Sequence, residues 1–241
     1  MATNVSTWLG TALPTTQATT TWLANQAGCQ KYFLERDYAV QDELTRRVYK
    51  KMVARVGKFV WGQSEPAPAK SGKFALWNKT RRGDTSERTV QMNCWEMVLY
   101  GLFQAEGVDA AKLARYYNKA PASTSADYDA KQRPLFGTQT QWNGLSLPGP
   151  NPGDIVTFDS AATGMLNHMG MYAGQLAGIH YILHLLLLDH ATTGMGGVGM
   201  LHFERVTTTI GRYAGGGGCT TYYTKPFWVT NSPTNAYFAS I

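Results

Sequence analysis

The sequence predicts an α+β fold in one generous domain, and three observations carry that prediction. Apolar positions recur at helical spacing in the first half of the 241 residues. From residue 154 onward the repeat shortens to that of strands, punctuated by glycine-rich stretches at 194–199 and 215–218. Apolar residues make up 44% and charged residues 16%, the balance of a chain with a core rather than of a disordered one.

Taken in order, residues 1–20 are rich in Thr, Ala and Ser and read as a loose leader or short cap. Between 35 and 61, Val40, Leu44, Val48, Met52, Val53, Val56 and Val60 fall at helical spacing, which predicts one long amphipathic helix. Residues 63–90 combine Pro, Gly, Ser and charge and read as an exposed loop. The segment 94–104, CWEMVLYGLFQ, is apolar nearly all round, as a core helix is, with Asn93 as its N-cap. A second short helix is expected at 109–118, capped by Asp109, followed by loop to residue 150. Strands are expected at 154–159, 168–173, 179–189, 201–206 and 220–229.

Net charge is +6 and the sequence pI near 9.2. Arg46, Arg47, Lys50, Lys51, Arg55 and Lys58 form one basic block, and Lys70, Lys73, Lys79, Arg81, Arg82 and Arg88 a second. They read as a solvated helix face and a solvated loop. Aromatics are not interleaved as on a single-strand stacking platform, so nucleic acid is not expected as a partner. No run approaches the roughly 18 apolar residues of a membrane span. The first residues lack the basic and apolar regions of a signal peptide, so the expected location is the cytoplasm, or outside the cell by a route without a cleaved leader.

Cys29, Cys94 and Cys219 are too few for a disulfide scaffold and lack the pairing of a structural zinc site. Cys94 opens the core helix, where the macrodipole and unpaired backbone N–H groups favour the thiolate and can bind an oxyanion. A lone cysteine is more often a small core hydrophobe, so Cys94 acquires meaning only with a base. The segment 151–174, NPGDIVTFDSAATGMLNHMGMYAG, supplies one: a tight turn, a strand, a small-residue loop, then His168 opening a second strand with Gly170 two residues on.

The order Cys-helix, then P-G-D-I-V-x-F, then H-x-G-M-Y-x-G resembles the NlpC-type papain-like cysteine peptidases over about residues 91–190. The resemblance implies a helix N-terminus packed on an antiparallel sheet, Cys94 as nucleophile and His168 as base. It also implies a third polar residue, often His, on the following strand, and cleavage of amide bonds in peptidoglycan stem peptides. Residues 91–241 would be the papain-like core, and 1–90 a helical region and basic loop of the same domain. Where the family usually has D-C-S-G, this chain has Asn93-Cys94-Trp95-Glu96. That opening is similar to acyltransferase relatives of the lecithin:retinol type, but those place His before Cys.

His180 and His184 both qualify as the third residue, since they share a strand face. A separation of twelve residues from His168 selects His180. A hairpin with its loop at 174–177 sets 168 opposite 183 and narrowly favours His184. Asp189 and His190 are weaker candidates, and His202 reads as a surface or strand residue rather than a ligand. Glu96 and Gln91 can line a cleft without an assigned role. Zinc held by His180, His184 and His190 has no recognised spacing, so no metal or cofactor is expected.

The function expected is hydrolysis of a peptide amide, with peptidoglycan as first substrate, by a leaderless bacterial toxin or effector. A cognate inhibitor or a secretion partner would fit that role. The alternatives are a glutamine deamidase, transglutaminase or protease acting on a host protein through the same Cys-His site, and a non-catalytic basic binding module.

Overall fold

Strands that are apolar on both faces must be covered on both sides. The computed structural model describes residues 17–36, 42–57, 60–61, 91–109, 111–113, 115, 139–187, 199–214 and 218–229, and it has that arrangement. Its elements are α1 (Gln17–Glu35), α2 (Glu43–Val53), β1 (Val60–Trp61), β2 (Gln91–Met92), α3 (Cys94–Gln104), β3 (Thr140–Gln141) and β4 (Ile155–Ser160). They continue with β5 (Leu166–Leu176), β6 (Ile179–Leu187), β7 (Gly199–Arg205), α4 (Val206–Ala214) and β8 (Cys219–Thr224). The fold is α+β. Six strands form an antiparallel sheet in the order β3-β8-β4-β5-β6-β7, and β1 and β2 pair in parallel apart from it.

Alternation sorts the strand residues. Ile155, Met169, Met171, Leu183, Leu185, Leu201 and Phe203 pack with Phe33, Met52, Met97 and Leu102 of α1, α2 and α3. Val156, Phe158, Tyr172 and Ile182 pack on the other face with Trp142, Val206 and the half-buried Ile210 and Tyr213 of α4. Residues from the first ninety thus share the core of the sheet. Tyr49 donates to the Ala173 carbonyl at 2.8 Å. The Gln26 amide brackets Phe203, donating to its carbonyl at 2.9 Å and accepting from its N–H at 2.8 Å. That bridge uses backbone groups which the outermost strand β7 would otherwise present unpaired.

Several elements differ from expectation. In place of the single helix over 35–61, the described residues show strand at Val60–Trp61 and α2 at Glu43–Val53. Asp42 starts it by accepting from the Thr45 N–H and hydroxyl. Gly57, at φ 81°, ends the segment by turning its N–H to the Leu201 carbonyl. α1 begins inside the stretch read as a leader; its buried Leu23, Gln26, Cys29 and Phe33 recur at three- and four-residue steps. The strand expected at 201–206 ends at Arg205, and Val206 instead opens α4, which folds back over the second face.

The hairpin after β5 is tighter than expected. Ala177 and Gly178, at φ 51° and 78°, form a two-residue turn with Leu176 opposite Ile179. Asp109 caps as expected, accepting from the Lys112 N–H at 2.6 Å, and 111–113 and 115 are helical. The loop at 63–90, the second basic block, Asp189, His190 and both glycine-rich runs except Gly199 and Gly218 lie outside the described residues. No helix among the described residues is long and apolar enough to cross a membrane.

Candidate functional site

The helix carrying Cys94 starts where it does because of a reciprocal cap. The Asn93 side chain accepts from the N–H groups of Trp95 and Glu96, and the Glu96 carboxylate accepts from the Asn93 N–H at 2.8 Å. The N–H of Cys94 itself lies outside that cap. The half-buried Cys94 sulfur faces backbone N–H groups of Met169, Trp95 and Cys94, each of which favours the thiolate. Burial outweighs them and pushes the thiol up to about 11. Desolvation thus works against the thiolate expected at the helix start and exceeds the pull of the helix dipole.

On β5, Met169 points to the face under α3 and His168 to the opposite face, under α4. The His168 ring stacks on Tyr213, with centroids 5.4 Å apart and planes at 22°, and lies 5.8 Å from Phe158. Tyr213 covers the ring from α4. Tyr213 also lies within electrostatic reach of Cys94; its hydroxyl is held above its ordinary range by burial first and by that thiolate next.

From His168 a hydrogen-bonded chain crosses the sheet. His168 Nε2 lies 2.8 Å from His184 Nδ1, and His184 Nε2 lies 3.1 Å from His202 Nε2. His202 Nδ1 lies 2.8 Å from the Met200 carbonyl. The direction of this chain follows from its last member. A carbonyl only accepts, so His202 Nδ1 carries a proton and its Nε2 a lone pair. His184 Nε2 then donates, its Nδ1 accepts, and His168 Nε2 donates. The remaining nitrogen, His168 Nδ1, is left with a lone pair.

All three rings are buried and neutral at neutral pH. Burial lowers His168 to about 3, with the neighbouring His202 and Arg212 adding to the fall. His184 and His202 are lowered chiefly by burial as well. Among the described contacts, none of the imidazole hydrogen bonds reaches Cys94.

The β5–β6 ladder runs from Leu176↔Ile179 to Met171↔Leu183, with a bulge at Tyr172/Gly174. Just past its last pair the strands stay close, and Gly170 permits that approach for a steric reason. A Cβ there would sit 2.7 Å from Ile182 and 2.8 Å from the His184 Cβ.

The structure brings His168 and His184 together and sets Cys94 against the backbone one residue after His168. His180 is elsewhere: it bonds the Tyr172 hydroxyl at 2.6 Å and the Gln175 amide at 2.8 Å, edge-on to Trp142. His202, read as a surface or strand residue, is a strand residue but is buried on β7. Glu204 lies two residues on, its Oε2 3.9 Å from His184 Nε2. Thr209 donates to that carboxylate at 2.8 Å, and Arg212 pairs with its other oxygen at 2.5 Å. None of Glu204, Thr209, Arg212 and Tyr213 was singled out from the sequence. The signal available was His202 and Glu204 at a period of two on a strand. A cavity of about 560 Å³ reaches this end of the chain, lined by Trp22, Gln26, His202, Glu204, Thr208 and Arg212 among others.

No protein-family model matches this chain, and neither a curated protein nor a solved structure matches it.

Proposed function

We propose that the protein is a cysteine-dependent amide hydrolase of papain-like architecture, with Cys94 as nucleophile and His168 as base. His184 is the positioning residue for that base. The observation that carries the proposal is the directed chain His168–His184–His202–Met200, which leaves the lone pair on His168 Nδ1. A base must present a lone pair while its second nitrogen is fixed in orientation.

Burial disfavours both charged forms, the thiolate of Cys94 and the imidazolium of His168, so in this reading proton removal accompanies attack. His168 Nδ1 takes the Cys94 proton as sulfur adds to the substrate carbonyl carbon, and the N–H groups at the helix start hold the oxyanion. Collapse breaks the C–N bond, His168 returns the proton to the amine, and water then hydrolyses the thioester. What supports the pairing is Tyr213, which stacks on the His168 ring with centroids 5.4 Å apart and lies within electrostatic reach of Cys94.

The substrate class proposed is a peptidoglycan stem or cross-link peptide, which suits a chain of net charge +6 meeting an anionic wall as a bacterial effector. Digestion of purified sacculi, read by mass spectrometry, should release new peptide fragments with the unaltered protein and none with Cys94→Ala. Identical fragment patterns from the two would sink the proposal.

The high thiol pKa favours a second reading, a binding module in which Cys94 is inert. Alkylation of Cys94 no faster than of Cys29 or Cys219 in the presence of substrate peptides supports that reading.

A further inference from the structure

We infer that His184, His202 and Glu204 form a binding site for one divalent transition-metal ion of the zinc class. The site shares His184 with the hydrolase proposal, and the two use opposite tautomers of the histidine chain: the metal-bound form carries the His168 proton on Nδ1, the base-competent form leaves a lone pair there. His202 and Glu204 project from the same face of β7, and His184 is directly opposite His202 on β6. Their ligand atoms converge, all within 4.8 Å of one another. His184 Nε2 lies 3.1 Å from His202 Nε2 and 3.9 Å from Glu204 Oε2. Ligands about 2.0–2.1 Å from a tetrahedral ion stand roughly 3.3 Å apart, so small side-chain adjustments close the set. Two imidazoles and one carboxylate suit zinc and its first-row neighbours, whereas calcium and magnesium prefer oxygen alone.

The supporting shell is in place. The Met200 carbonyl fixes His202 through Nδ1, His168 meets His184 through Nδ1, and Thr209 and Arg212 hold the carboxylate. The cavity is lined by His202 and Glu204 and so gives an ion a route to two of the three ligands. Metal binding requires His184 Nε2 to present its lone pair. That ring then carries its proton on Nδ1 and donates to His168, so the ion reverses the direction of the histidine chain.

The test is calorimetric titration of the full, chelator-treated protein with ZnCl2, with MgCl2 as control. One Zn²⁺ per chain is expected, with no magnesium response. Affinity should fall at least about tenfold in Glu204→Gln and in His202→Ala and stay unchanged in Cys94→Ala. The Co²⁺ spectrum of the unaltered protein gives a measurement that needs no variant. Visible bands without thiolate-to-metal charge transfer are expected. Absence of stoichiometric zinc binding, a thiolate band, or affinity indifferent to both ligand variants overturns the inference. Each readout is independent of hydrolysis.

Discussion

Nε2 of His168 and Nδ1 of His184 lie 2.8 Å apart just past the last β5–β6 pair, and both rings are buried. The contact is diagonal, since the ladder sets Leu183 opposite Met171. His184→Ala should leave the His168 ring free to turn and lower kcat on a wall peptide by about 10²–10⁴-fold. His184→Asn, which can keep an acceptor near Nδ1, should recover part of that loss. His180→Ala should change kcat little, because its partners are Tyr172 and Gln175. A larger loss from His180→Ala than from His184→Ala would refute the assignment.

Gly170 is needed for its lack of a side chain. Gly170→Ala places a methyl against Ile182 and the base of His184, and should cost about 1–3 kcal/mol of stability in urea denaturation. A neutral result would show that the two strands can part at no cost.

The Cys94 thiol, pushed up to about 11, should alkylate slowly at neutral pH in the free protein. Its thiolate fraction at pH 7 is on the order of one in ten thousand, against a few per cent for an ordinary cysteine. The iodoacetamide rate, followed by peptide mass spectrometry, should climb about tenfold per pH unit until it flattens near that pKa. A plateau already reached at pH 7 would contradict the burial argument.

Asp154 is buried at the turn before β4, where it accepts from the Asn151 N–H, and burial raises its carboxyl from 3.8 to about 6. The folded form then holds its proton more tightly than the unfolded form. Its contribution is therefore favourable at acid pH and is lost as pH rises from about 4 through 6, by at most ~3 kcal/mol. Asp154→Asn keeps an acceptor and removes the charge. Its denaturation midpoint should exceed that of the unaltered protein at pH 7.5, with the difference vanishing near pH 4; equal midpoints at both would refute the shift.

Arg212 and Glu204 form a largely buried pair, with side chains 23% and 9% exposed. Arg212→Ala leaves the carboxylate uncompensated and should cost about 2–4 kcal/mol. Adding Glu204→Gln should recover part of that loss, which a double-mutant cycle by thermal denaturation would measure.

Much of the site was local enough to be written in sequence order. Asn93 and Glu96 are three residues apart, so their cap could be read directly, and it places Cys94 at a helix start. The turn Asn151–Gly153 and the alternation of His180, Ile182 and His184 depend only on neighbours within a few residues. α1 was missed because its run of threonines carries little polar contrast, although its buried residues keep helical steps. α4 was missed because Val206, Thr207, Thr208 and Thr209 favour strand locally while packing on Phe158 and His168 favours a helix.

By itself, the sequence determined the order of helices before strands, the cap on α3 and the strand face shared by the histidines, because periodicity and capping act over one or two turns. Only the tertiary structure decided that His184 rather than His180 meets His168, since a two-residue turn and a bulge set the register. It also desolvated the Cys94 thiol enough to outweigh the N–H groups at the helix start, because desolvation depends on everything packed around a group. The meeting of His202, Glu204 and Arg212 is likewise tertiary: β6, β7 and α4 bring it about, and no local pattern spans those elements.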